Sequence, residues 1–484
     1  MSEQVRQLEP QSLWNHFSDL NAVPRPSKKE ERVIQFMLDF GAKHGFETHK
    51  DAIGNVILKK AATPGMEDRE TVILQSHLDM VHQKNNDTVF DFDTQGIEML
   101  VDGDWVKANG TTLGSDNGLG VATIMALFTS TDIPHPALEA MFTIDEETGM
   151  TGAKELDPSF YSGTILLNLD TEDDDELSIG CAGGVDTNTS YHYLEMDTPT
   201  GMDTFRVELK GLMGGHSGMD INQGRANANK LMTRLLQEIP CPIHLHSFDG
   251  GSLRNAIPRE AVSVFSVDPR NTQVLHHHFA AILGQFQAEF AKEGKKMVLD
   301  VKKESTPAKC MANGDLNKIL SVLYAVHNGV HKMSLYFDDL VETSSSLARV
   351  IIRDGVFETQ SLQRSSVEST KRDVANTVRA PFDLLGASVV QAGDYPGWEP
   401  NADSAILKIM ARLYRDVFRA EPQIKACHAG LECGILGKHL PEVDMISFGP
   451  NIRHAHSPDE CVQISSVQKF WKFLLDVLQN IPKK

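Results

Sequence analysis

Four short apolar runs constrain this chain more than anything else in it. Residues 72–74, 137–144, 164–169 and 443–448 have strand length and are interspersed with segments of helical periodicity. Strands apolar on both faces belong in a sheet covered by helices, so the expected fold class is α/β. The residues just past each run are equally informative. The first run continues into His77-Leu78-Asp79, the second into Asp145-Glu146-Glu147 and the third into Asp170. The fourth leads through Gly449-Pro450 to His454-Ala455-His456-Ser457-Pro458-Asp459-Glu460. In open α/β sheets, sites form at the carboxyl ends of strands.

Residues 110–120, G-T-T-L-G-S-D-N-G-L-G, set Asp116 among four glycines. Such a segment indicates unusual backbone dihedrals or close approach. An apolar helix is expected over residues 121–129. Nearer the N-terminus, residues 8–20 read as a helix. Ser27 and Glu30 read as a capping box for a second helix ending at Gly45. Residues 51–59 read as a strand with a turn at Gly54-Asn55. Residues 82–113 read as polar and irregular, with an Asp-Gly turn at 102–103.

The character changes near Gly180-Cys181-Ala182-Gly183-Gly184. Alternating strands are expected at 204–210, 261–267 and 347–353. Helices are expected at 222–238 (capped by Asn222), 276–292, 318–327 and 368–385. This reads as a second, α+β domain with an antiparallel sheet, inserted over residues 185–395. The first domain is then discontinuous, 1–184 and 396–484, with a mostly parallel sheet between helices. Helices at 401–418 and 465–478 belong to its second part.

The chain has 484 residues, enough for two domains. Its net charge of −20 repels phosphate backbones and argues against nucleic-acid binding. No apolar run approaches the roughly 20 residues of a membrane span. The N-terminus has no signal-peptide pattern, so a cytoplasmic location is expected. Six scattered cysteines without C-x-x-C point to reduced thiols rather than a disulfide framework or a cysteine zinc site.

The candidate ligands are His77, Asp116, Glu147, Asp170 and one histidine of the 454/456 pair. Taken singly, each would read as solvated surface. Together they are two imidazoles and three carboxylates, enough for two zinc ions if one carboxylate bridges and each metal keeps a position for water. Paired metals roughly 3.5–4 Å apart lower the pKa of a shared water and polarise a carbonyl. One of Glu146 and Glu147 can bind metal while its neighbour takes the proton. Asp79 is placed to accept from the far ring nitrogen of His77 and fix its tautomer.

In order, S-H-L-D-M, T-L-G-S-D-N-G-L-G, T-I-D-E-E-T-G-M, L-N-L-D-T-E and H-A-H-S-P-D-E resemble the motifs of the dinuclear zinc peptidases. That superfamily includes aminoacylases, glutamate-releasing carboxypeptidases and carnosinases. The segments at 83–88, 180–184, 210–221 and 428–434 resemble one branch, the bacterial aminoacyl-histidine dipeptidases. The resemblance implies that His77, Asp116 and Asp170 hold one zinc and that Asp116, Glu147 and His456 hold the other, with Co2+ or Mn2+ as substitutes. His456 is preferred to His454 because the family ligand immediately precedes S-P-x-E. It implies Glu146 as general base and Asp79 as the clamp on His77. His216 resembles the histidine that polarises the scissile carbonyl, Asn255 and Arg364 the substrate-binding pair, and Gly430 a backbone contact. It also implies a cis peptide at Asp116-Asn117, and a lid formed by the inserted domain, whose closure would complete the site.

The activity implied is hydrolysis of dipeptides with a C-terminal histidine, β-alanyl-histidine included. An N-acyl amino acid deacylase or carboxypeptidase on the same scaffold is the enzymatic rival. A non-catalytic binding module is the rival of another class, and loss of Glu146 or a ligand would mark it; none is lost. The expected partners are small dipeptides, without nucleic acid or membrane, and monomer and homodimer both stay open.

Overall fold

The computed structural model describes residues 3–85 and 87–484; Asn86, in the 83–88 segment singled out above, and Met1 and Ser2 lie outside the described residues. The chain divides into two compact units. One comprises Met1–Gly180, Pro400–Ala426 and Leu431–Lys484, and the other Cys181–Glu399 and Cys427–Gly430. His77 and His456 both fall in the first unit. The return of residues 427–430 to the second unit had no signal in the sequence.

The first unit is built on an eight-stranded sheet. Its order is Glu47–Lys50, Val56–Lys60, Leu138–Thr143, Val72–His77, Ile165–Asn168, Asp444–Ser447, Glu176–Cys181 and Gln423–Cys427. The four central strands, from Leu138–Thr143 to Asp444–Ser447, pair in parallel. Glu47–Lys50, Val56–Lys60 and Glu176–Cys181 pair antiparallel with their neighbours. Three of the central strands, Val72–His77, Leu138–Thr143 and Ile165–Asn168, are buried throughout, as apolar runs on both faces require. Helices Gln11–Asn21 and Ser115–Thr129 pack together, and the latter also packs on Val72–His77. Ala405–Phe418 packs on Asp444–Ser447 and on Ile464–Gln479.

Several local expectations are corrected. Ser27 does not cap the second helix, which runs Glu31–His44 from Glu30; its hydroxyl instead donates to Asp79 Oδ2 at 2.7 Å. Residues 51–55 form the turn between two strands, with Asp51 Oδ1 accepting from the Gly54 and Asn55 amides at 2.9 and 2.8 Å. The stretch read as irregular contains a hairpin, Met99–Asp102 and Trp105–Ala108, extended by Cys461–Gln463 and Ile452–Arg453 into a four-stranded sheet. The helix expected from residue 401 begins at Ala405, where Ser404 caps it by accepting from the Leu407 amide.

The second unit carries a nine-stranded antiparallel sheet. Its path is Val298–Glu304, Asp203–Lys210, Ala261–Val267, His244–Gly250, Val341–Arg353, Val356–Ser365, Gly183–His192 and Ser388–Tyr395, with Gly329–Met333 pairing against Val341–Arg353. Ala228–Gln237, Thr272–Glu289, Asn313–Ala325 and Glu368–Leu385 supply helical side chains to one apolar core with this sheet. The cap of the first of these is Asn227, whose side chain accepts from the Asn229 and Lys230 amides; Asn222 lies in the separate 3-10 turn Ile221–Gln223. Val341–Arg353 begins six residues before the expected start. Its first half, V-E-T-S-S-S, is buried but polar, so no apolar alternation announces it. Partners stabilise it instead: Thr343 Oγ1 lies 2.9 Å from Ser365 Oγ, and Ser344 Oγ lies 2.7 Å from His428 Nε2.

Candidate metal centre

The strand Val72–His77 ends on the imidazole of His77, which is 1% exposed. Nδ1 lies 3.1 Å from the Asp79 carbonyl oxygen and 3.4 Å from Asp79 Oδ1. Two acceptors make Nδ1 the protonated nitrogen, which leaves Nε2 for a metal. The carboxylate of Asp79 also accepts from the Glu146 amide at 3.0 Å, the Glu147 amide at 3.3 Å and Ser27 Oγ. Burial opposes its ionisation, but these bonds and the charge of His77 hold it down at about 2.

Asp116 projects from the Gly-rich segment at the start of Ser115–Thr129. The Asp116–Asn117 peptide is cis, both residues depart from helical dihedrals, and Gly114 takes φ 70°. The turn is tied down from outside. Glu460, 2% exposed, accepts from the amides of Leu113, Gly114 and Ser115 at 2.7, 3.0 and 2.8 Å. Arg25, 1% exposed, donates to the carbonyls of Gly114, Leu78 and Asp79 at 2.6, 3.1 and 3.1 Å, joining this turn to the His77 strand end. Asn117 Nδ2 donates to Leu169 O and to Asp170 Oδ1. The sequence alone assigned no role to Arg25 or Asn117 and left Glu460 as the E of S-P-x-E. Asn117 stands among glycines, but nothing marks out Arg25 between two prolines or Glu460 in a polar run.

So held, Asp116 turns its two oxygens to two histidines. Oδ1 lies 3.1 Å from His77 Nε2, and Oδ2 lies 3.3 Å from His456 Nε2. His77 Nε2 is also 3.6 Å from Asp170 Oδ1, and His456 Nε2 is 2.9 Å from Glu147 Oε2. The ligand atoms of three groups therefore lie within 4.8 Å of one another: His77–Asp116–Asp170, Asp116–Glu147–His456 and His77–Glu146–Glu147. His454 is not among them.

The electrostatics suit a cation. Burial pushes the carboxyls of Glu146 and Asp170 well above the usual range, and their negative neighbours add to it. Glu147 moves up for the same first reason. Burial alone would lower His77, yet Asp170, Asp116 and Asp79 hold it well above the ordinary histidine value. Bonds to Asp116 and Glu147 carry His456 to about 11. Glu147 Oε1 is buried without a hydrogen-bond partner. Mutually repelling carboxylates, an orphaned oxygen and a mixed imidazole and carboxylate donor set fit a pair of divalent ions such as zinc.

The remaining candidates gather in the second unit. His216 Nδ1 accepts from the amides of Gly218 and Met219 at 3.2 and 3.0 Å. The neutral ring therefore carries its proton on Nε2. Burial, then the charge of Arg364, keeps its pKa below the ordinary value. Asn255 is tied to the same loop through its carbonyl, which accepts from the Ser217 amide at 2.8 Å. A Cβ on Gly218 would lie 3.1 Å from Arg364 Cδ and Nε. Gly430 closes the segment Cys427–Gly430, where the Cys427 and Ala429 carbonyls both accept from the Ala182 amide.

Peptidase family M20/M25/M40 matches residues 73–480, and the chain belongs to that family. It is 40% identical over 488 residues to the cytosol non-specific dipeptidase of Escherichia coli strain K12, covering 100% of each chain. The crystal structure of aminoacylhistidine dipeptidase from Vibrio alginolyticus matches with TM-score 0.93 and 41% identity over 100% of both chains. Aminopeptidase PepT from Bacillus cereus shares the fold, with TM-score 0.57 and 14% identity over 98% of this chain and 99% of that one.

Proposed function

We propose that the protein hydrolyses dipeptides, preferring a C-terminal histidine, with a water activated at a dinuclear zinc site. Family membership and full-length likeness to two proteins named dipeptidases make it a metallo-dipeptidase. The observation that carries the two-metal reading is the split carboxylate of Asp116, one oxygen toward His77 and the other toward His456. In this reading His77, Asp116 and Asp170 would hold one ion, and Asp116, Glu147 and His456 would hold the other. Bound there, the ions would make water acidic enough to act as the nucleophile and would polarise the scissile carbonyl.

The chain's own groups do the rest. Glu146, beside His77 and Glu147, takes the proton of the water and passes it to the leaving amine. His216, protonated on Nε2, donates to the developing oxyanion. Arg364 presents a planar fork to the terminal carboxylate, with Asn255 and the Gly430 backbone as further contacts. The E. coli relative's name refers to the cytosol, and we read this chain as cytoplasmic too.

The names of the two full-length relatives differ on breadth, one non-specific and one aminoacylhistidine. Steady-state kinetics over β-alanyl-histidine, other Xaa-His dipeptides, dipeptides without histidine, N-acetyl amino acids and tripeptides tests the proposal. Highest kcat/KM on Xaa-His, lost on chelation and restored by zinc, is expected. Equal rates on dipeptides of any C-terminal residue would remove the histidine preference. Faster cleavage of N-acetyl amino acids would replace dipeptidase with deacylase.

A further inference from the structure

Arg364 is an unusual cation. It is 5% exposed; the charge of Asp186 reaches it, but among the described residues no carboxylate oxygen lies within 4.0 Å of it. Its Nε is buried without a partner. Buried charges are normally paired, so such a guanidinium is built to receive an anion. What it does touch is a phenol: Nη1 donates to the Tyr395 hydroxyl oxygen at 2.9 Å.

That contact depends on a gap in the sheet. Arg364 and Tyr395 lie on strands flanking Gly183–His192, and both are in register with Gly184 between them. A Cβ on Gly184 would lie 2.7 Å from Tyr395 Cε1, Cζ and Oη. Only a residue without a side chain lets the ring cross the middle strand to the guanidinium. The backbone of Tyr395 is fixed as well. Lys371, 1% exposed, directs its donors to Tyr395 O at 2.6 Å, Asp394 Oδ1 at 2.7 Å and Glu368 Oε1 at 2.9 Å. A phenol oxygen that accepts from Arg364 keeps its own hydrogen for another acceptor. An anion on the guanidinium is the acceptor that the same geometry offers.

We propose that Tyr395 is a second contact for the substrate's terminal carboxylate, holding the Arg364 guanidinium and donating its own hydrogen to the same anion. This rests on the reading of Arg364 as the group that binds that carboxylate. It makes the pair, rather than Arg364 alone, the feature that selects free C-termini.

The test compares the zinc-loaded protein with its Tyr395→Phe, Arg364→Ala and double variants on a dipeptide and on its C-terminal amide, the amide being read as a competitive inhibitor where it is not cleaved. Tyr395→Phe should raise KM for the free acid about tenfold, the worth of one hydrogen bond to a charged group. It should leave kcat within about twofold and leave the amide's KM or Ki unchanged. In the Arg364→Ala background it should add less than about twofold, because both groups act on one anion. Gly184→Ala, which displaces the ring without removing it, should reproduce the KM effect. Equal losses on acid and amide, no loss on the acid, or a full tenfold loss in the Arg364→Ala background would each overturn the inference. If Arg364→Ala itself weakened acid and amide alike, the reading of Arg364 would fall first, whatever Tyr395 did.

Discussion

The backbone amide of Glu146 donates to Oδ1 of Asp79 at 3.0 Å, so the proposed base and the residue beside His77 are one hydrogen-bonded unit. The next amide, of Glu147, reaches the other oxygen at 3.3 Å. One carboxylate therefore orients the His77 imidazole and the turn that carries two glutamates.

Asp79→Asn should disturb both. An amide cannot accept on both sides as the carboxylate does, and the His77 imidazole loses its charged neighbour. Zinc affinity should fall by about 10–100-fold and kcat should fall with it. Zinc titration followed by kinetics at saturating metal separates the two effects; unchanged affinity would confine Asp79 to the turn.

The two glutamates should separate cleanly. Glu147→Ala should lose metal as well as activity. Glu146→Gln should retain metal and lower kcat by ~10²–10⁴, the typical worth of a general base. Metal content by elemental analysis decides it, and an empty site in Glu146→Gln would reverse the assignment within the pair.

Metal binding should release protons. In the metal-free protein His456 sits at about 11, and Glu146 and Asp170 are held well above the ordinary carboxylate range. Cations displace those protons, so affinity should rise with pH. Calorimetric titrations in buffers of different ionisation enthalpy should give different heats; identical heats would refute the displacement.

His216→Ala should keep both metals, since no ligand is removed. The oxyanion exists only during reaction, so kcat should fall by ~10²–10³ with a smaller change in KM. A change in KM alone would make His216 a binding residue.

His428 provides a stability test in the second unit. Burial, aided by the charges of Arg364 and His216, drives its imidazole down to about 3. The unfolded chain takes up this proton near pH 6.5 and the folded one does not. Its contribution is therefore complete above about pH 6.5 and is lost as pH falls toward about 3. His428→Gln should give a shallower fall of Tm over that interval, measured by calorimetry against the unmodified protein.

The sequence alone determined the α/β class and the identity of the candidate ligands. Apolar runs at 72–74, 137–144 and 164–169 had to be buried strands, and the polar residues just past them had to cluster where those strands end. Short-range patterning carries that information, because burial of a strand depends on the side chains of the strand itself. Polar partners far apart in the chain were invisible. Nothing near Ser27 indicated Asp79 rather than a helix cap, and nothing near Glu460 indicated three amides at 113–115. The buried polar half of Val341–Arg353 had no apolar period to reveal it, since its stability comes from Ser365 and His428 on other segments. The tautomer of His216 and the reach of Tyr395 over Gly184 to Arg364 likewise depended on register and turn geometry. Hydrogen bonds demand positions within tenths of an ångström, and only the folded chain sets those positions between residues hundreds apart.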